Sequence, residues 1–257
     1  DYYALKKDPS FAMLPYYHNA DHTIHLFVSG IGKVNAAIAT TLSSTRLRKR
    51  ACAYFLNVGI AGARNFPLGV CCFIDKVQDA ATGRRYYPAL CGLSHSVYQP
   101  FGLVTHDKVQ STYPDDALVD MEGAGFFQAA QALSSPDRVY LLKVVSDHPD
   151  SSHEHLTPES VSALIKGQLS SIVRLVDSLL LASADLANDL PDERLALPFY
   201  DHWHFTQTQK TQLLAVLRRW AVVFPDQLAY DMVSCDASAR DALKSLHYKL
   251  NHADYVW

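Results

Sequence analysis

Two short, nearly continuous apolar runs, residues 53–58 and 139–145, constrain the fold of this chain more than any other feature. A strand that is apolar on both faces needs cover above and below, so such runs belong to a sheet with helices packed on either side. Residues 70–77 and 102–105 read as further strands. Val34, Ala37, Ile38 and Leu42 recur at helical spacing and predict a core-facing helix that ends at the basic residues 46–50. Residues 11–17 and 23–28 predict a hairpin around the polar turn 19–22. Strands therefore end at Ser29, Gly59, Thr105, Asp120 and Asp147. In an open α/β sheet such ends rim the ligand crevice.

The stretch Leu118-Val119-Asp120-Met121-Glu122-Gly123-Ala124-Gly125 puts two carboxylates where a strand gives way to a small-residue helix over 123–130. Glu122 is the candidate ligand-facing group. Two glycine turns accompany it, Ser29-Gly30-Ile31-Gly32-Lys33 and Gly59-Ile60-Ala61-Gly62-Ala63. The first is not a nucleotide-triphosphate loop. That motif needs a glycine where this chain has Phe27 and a hydroxyl residue where it has Val34. Farther on, Ser146-Asp147-His148-Pro149 closes the strand 139–145, and Pro149 leaves Asp147 at its mouth.

Thr157-Pro158-Glu159 caps a helix whose expected core face is Val161, Leu164, Ile165, Leu169, Ile172, Val173 and Val176. Beyond about residue 183 the pattern changes to a helical C-terminal extension, residues 184–257. A capping box at Thr206 to Gln209 and a cap at Asp236 open two of its helices. Residues 1–7 read as the tail of an amphipathic helix.

With 49% hydrophobic and 19% charged residues the composition is that of an ordinary globular protein. A net charge of -3 without a basic stripe excludes nucleic acid as the default partner. No apolar run is long enough to cross a bilayer, so no membrane partner is expected. Five cysteines without framework or CxxC spacing suggest buried free thiols in the cytoplasm. His153-Glu154-His155 and His202-Trp203-His204 lack further ligands at fixed spacing, so neither a metal nor another cofactor is expected.

In order, SGIGKVNAA, NVGIAGA, GLVTHD, VDMEGAG and KVVSD resemble the nucleoside phosphorylase family, and more closely its nucleosidase branch, the methylthioadenosine and adenosylhomocysteine nucleosidases. The resemblance spans roughly residues 24–182 and not the extension. It implies a three-layer α/β/α sandwich with a mixed central sheet over 1–183, cleaving the N-glycosidic bond of a nucleoside, with a purine nucleoside as the expected substrate. It makes Asp147, aided by Ser146, the acid that protonates the leaving base. Glu122 and Met121 hold the ribose, and Ala61, Gly62, Val109 and Lys143 join the substrate site. Ser29, Gly30 and Gly32 form the turn beside the nucleophile. It also implies a homodimer.

The chain departs from the family at several of these positions. Lys143 stands where the nucleosidases usually carry Arg, Ile60 replaces a serine, and Val109 falls where an aromatic stacks on the base. The glutamate that activates water in the hydrolases belongs to a first strand with no counterpart here. Water is the expected nucleophile, because Lys33-Val34-Asn35 follows the glycine turn where phosphorylases tend to have Pro-Ser. Phosphorolysis is one alternative, and a non-catalytic nucleoside sensor or scaffold is another.

Overall fold

The computed structural model describes residues 2–47, 53–89, 100–149, 156–189 and 193–252. By internal contacts the chain divides into two compact units, Asp1–Ala184 and Asp185–Trp257.

The first unit is built on a mixed sheet of β4 (Phe55–Gly62), β5 (Cys71–Asp79), β6 (Arg85–Tyr86), β7 (Pro100–Thr105), β8 (Ala117–Asp120) and β9 (Val139–Asp147), in the order β6-β5-β7-β8-β4-β9. The pairs β4/β9, β5/β7 and β7/β8 are parallel, while β4/β8 and β5/β6 are antiparallel. The first residues of β5 also pair antiparallel with β9, Cys72 opposite Lys143, so the sheet curls back on itself.

Alternation along β9 explains the layers, because successive side chains point to opposite faces. Val139, Leu141 and Val145 join the core under helices α1 (Lys33–Ser43) and α2 (Gly123–Leu133), with Ala36, Phe126 and Phe127. Tyr140 and Leu142 face the other way, onto Leu175 and Leu179 of helix α4 (Leu169–Asp189). This is the expected three-layer α/β arrangement with a mixed central sheet.

Several local expectations are corrected. The hairpin forms as β2 (Tyr16–His18) and β3 (His25–Phe27), but with β1 (Lys6–Lys7) it makes a separate three-stranded sheet. Lys6 and Lys7 are thus strand residues rather than a helix tail. Tyr16 anchors this sheet, stacked on Phe27 at 4.6 Å between ring centroids. The buried face of α1 is Ala36, Ala39 and Thr40, whereas Val34 is 71% and Ile38 47% exposed. The reason is the close approach of α2: a Cβ on Gly125 would collide with the backbone carbonyl of Lys33, so only small residues fit between the helices.

The helix expected after Thr157 is two, α3 (Pro158–Gly167) and α4, and the buried residues are Leu175 and Leu179 rather than the seven anticipated. Thr157 does cap α3, in a reciprocal capping box with Ser160. At the break, the Gln168 side-chain amide donates to the Gly69 carbonyl at 2.7 Å, tying it to the chain just before β5.

The second unit has its own apolar core. Helices α5 (Leu197–His202), α6 (Gln207–Val223) and α7 (Ala239–Asn251) enclose Phe199, Trp203, Leu217, Trp220 and Leu246. The indole N–H groups of Trp203 and Trp220 donate to the carbonyls of Ala237 and Gln227. The Thr206 capping box forms as expected, but α7 is capped by Ser238 instead of Asp236. Among the described residues no helix is long and apolar enough to cross a membrane.

Candidate active site

At the ends of β7 and β8, Asp120 is the hub of the floor. Its Oδ1 accepts from Thr105 Oγ1 at 2.6 Å, and its Oδ2 accepts from the Gly123 amide at 2.8 Å, which opens α2. Thr105 Oγ1 in turn accepts from Ala124 N. The Lys143 ammonium lies 2.8 Å from Asp120 Oδ2, and the Lys143 side chain is only 1% exposed. Gly59 leaves the room for it, since a Cβ there would stand 3.2 Å from Lys143 Nζ. Lys143 is one of the residues expected to join the substrate site. Its charge is held by Asp120 beneath the site, where a buried carboxylate needs a partner.

Two residues beyond Asp120, the Glu122 carboxylate accepts from the Gly32 amide at 2.7 Å. The glycine turn can aim that N–H because Gly30 and Gly32 have φ of 80° and 102°, a region open to glycine. Ser29 Oγ donates to the Gly30 carbonyl within the same turn. Lys33, which opens α1, bridges Asp79 at 2.7 Å and Asp107 at 3.0 Å, at the ends of β5 and β7. Burial would lower the Lys33 pKa, but its bonds to the two aspartates outweigh this and hold it above the ordinary lysine value. Burial would likewise raise Asp79, yet Lys33, Thr82 and the Ala81 amide together keep it below the usual carboxylate range. The glycine turn is thereby clamped to the central sheet although β3 is not part of it.

Asp147 ends β9 and is largely buried. Ser146 Oγ donates to its Oδ1 at 2.5 Å, and the Tyr113 hydroxyl donates to its Oδ2. The register shifts at Ala61/Gly62, so Gly62 pairs with Asp147 on one side and with Val119 on the other. The ends of β8 and β9 thus lie two strand spacings apart, roughly 10 Å. That is a span one small ligand bridges. A cleft of about 550 Å³ borders Asp147 and Ser146, walled by Leu68, Gly69, Leu156 and Leu164.

No protein-family model matches the chain, and no curated protein matches it in sequence. Solved structures do match in fold. The chain is similar to a 5′-methylthioadenosine/S-adenosylhomocysteine (MTA/SAH) nucleosidase from Streptococcus pneumoniae with a transition-state inhibitor, at 22% identity and a TM-score of 0.52, covering 70% of this chain and 90% of that one. A counterpart from Colwellia psychrerythraea, in complex with adenine, gives 19% and 0.51 over 70% and 86%. Futalosine hydrolase from Helicobacter pylori gives 15% and 0.53 over 70% and 89%. The chain has the nucleosidase fold.

Within this nucleosidase fold, Glu122, the turn at Ser29, Gly30 and Gly32, and Asp147 with Ser146 all come from strand ends or the loops beside them. Met121 is partly buried between Asp120 and Glu122. The expected second glycine turn is not a turn: 59–62 continue β4, where Ala61 is buried in the core and Gly62 lies against the Tyr113 side chain. Sheet pairing on both edges of β4 holds this run extended. Val109 is 60% exposed in the loop after β7. Sequence reasoning missed Tyr113, Lys33, Asp79 and Asp107. Of these Lys33, next to the glycine turn, and Asp107, at the end of GLVTHD, carried a signal.

His153 and His155 lie outside the described residues. His202 Nε2 contacts the Cys235 carbonyl, and among the described residues no group of His, Cys, Asp and Glu is arranged to hold a metal. Cys71 and Cys72 are free thiols, pushed up by burial to about 11 and about 12, which leaves them protonated and unreactive at neutral pH.

Proposed function

We propose that the first unit hydrolyses the N-glycosidic bond of a purine nucleoside. The observation that carries this reading is the pairing of Gly62 with Val119 on one side and with Asp147 on the other, which brings the strand leading to Glu122 and the strand ending in Asp147 to the two sides of β4. With one oxygen on the Gly32 amide, the Glu122 carboxylate keeps acceptor capacity for both hydroxyls of a ribose diol. That grip fixes the anomeric carbon relative to Asp147, and Met121 lines the sugar beside it.

In the reaction the bond from the anomeric carbon to the purine nitrogen breaks, and its electron pair leaves with the base. Asp147 gives a proton to the five-membered ring of the base, so the leaving group departs neutral. Positive charge develops on the sugar and is relieved by water, whose oxygen bonds to the anomeric carbon as it loses a proton to solvent or to a base. The adenine and the inhibitor in the structures similar to this chain support a purine nucleoside as ligand.

A homodimer in the cytoplasm completes the proposal. Ile31, Val34 and Ile38 present an exposed apolar face at the start of α1, beside the glycine turn, which suits burial against a second copy. Sedimentation of the protein at monomer mass at micromolar concentration would refute the dimer.

Incubating the full-length protein with purine nucleosides, 5′-methylthioadenosine among them, tests the activity. Free base is expected in phosphate-free buffer at a rate phosphate does not change. Strict phosphate dependence, with ribose 1-phosphate as product, would assign phosphorolysis instead. Tight nucleoside binding without release would leave a sensor.

A further inference from the structure

The β7–β8 connection delivers one buried side chain to the acid, Tyr113, and nothing in the reaction described so far uses it. Tyr113 is 6% exposed, and the hydroxyl end of its side chain lies against Gly62, where a Cβ would stand 2.5 to 2.7 Å from three of its atoms. Its backbone is pinned to the turn after β4. Arg64 Nε donates to the Tyr113 carbonyl at 2.9 Å and pairs with Asp115 at 3.2 Å, and Asn65 donates to the Asp115 carbonyl. Such a fixed ring is a brace rather than a gate.

We infer that Tyr113 is a positioning residue for Asp147, with Gly62 as the gap that admits it; this rests on the reading of Asp147 as the proton donor. A carboxyl turns freely about its last torsion unless its two oxygens are held differently. Here Ser146 holds Oδ1 and Tyr113 holds Oδ2. The same two hydroxyls point at the negative charge that appears on Asp147 as its proton passes to the base, so that charge is stabilised with no rearrangement. Burial first, and then the bond to Asp147, push the Tyr113 phenol well above the ordinary tyrosine value, so it remains a donor throughout the neutral range.

Two readouts test this. The first is the ¹³Cζ tyrosine signal that disappears in Tyr113→Phe. It is expected to titrate far above the ordinary tyrosine range in the wild type and to fall towards that range in Asp147→Asn. The second is kinetic. Tyr113→Phe is expected to lower kcat about tenfold with KM within about twofold, and to have little further effect in the Asp147→Asn background. An equal loss in both backgrounds, or none in the first, overturns the inference while leaving hydrolysis standing. Should no nucleoside be cleaved at all, the proposed function falls, and the tyrosine signal alone still decides: the same titration in wild type and Asp147→Asn removes the contact on which the positioning role stands.

Discussion

Asp147→Asn is expected to lower kcat for base release by roughly 10²- to 10⁴-fold, the range that a positioned proton donor supplies. The amide has the shape of the carboxyl but no proton to give to a leaving purine. Its oxygen still accepts a hydrogen bond from one of the two hydroxyls that hold Asp147, Ser146 or Tyr113, so the strand end is kept and KM changes little. Steady-state kinetics beside a melting curve separate loss of chemistry from loss of fold. A variant within about threefold of wild-type kcat would remove Asp147 from the reaction and return the strand end to a structural role.

The largest expected effect on stability comes from Lys143→Met. The substitution keeps an unbranched chain of similar length beside Gly59 but deletes the ammonium that lies 2.8 Å from Asp120, whose own side chain is fully buried. Thr105 and the Gly123 amide remain as donors, yet neither carries charge. Removing one partner of a buried pair costs about 3–5 kcal/mol because the other is left uncompensated. For a chain of this size that corresponds to a fall in Tm on the order of 10 °C. Replacing both partners, Asp120→Asn with Lys143→Met, is expected to recover much of the loss, since no lone charge then remains inside. Calorimetry of the three proteins checks this. A single variant that melts with the wild type would show that Asp120 does not depend on Lys143.

How far the sequence could be read follows from which interactions are local. Residues 139–145 were legible as a strand covered on both faces because seven nearly apolar residues in a row leave little alternative. The caps at Thr157 and Thr206 were legible because they are made within four residues. The face of α1 was not. Apolar spacing favours Val34 and Ile38, while the structure selects Ala36 and Ala39 because of Gly125 on another helix, about 90 residues away. The run 59–62 looked like a turn for its two glycines, yet one makes room for Lys143 and the other for Tyr113, both distant in sequence.

The candidate site divides in the same way. Glu122 and Asp147 stand in motifs and could be named in advance. Lys143 could be named but not assigned, because only the pairing of β9 with its neighbours shows that its ammonium turns to Asp120. Tyr113 stands in an irregular connection, where no periodicity marks a residue as buried.

The claim on which the rest depends is that one ligand spans Glu122 and Asp147. A crystal structure with a purine nucleoside analogue whose glycosidic bond resists cleavage tests it most directly. The ribose 2′ and 3′ hydroxyls are expected within about 3 Å of the Glu122 carboxylate, with the five-membered ring of the base at hydrogen-bond distance from Asp147. A ligand seated elsewhere, or one whose base lies at Glu122 and whose sugar lies at Asp147, would contradict it.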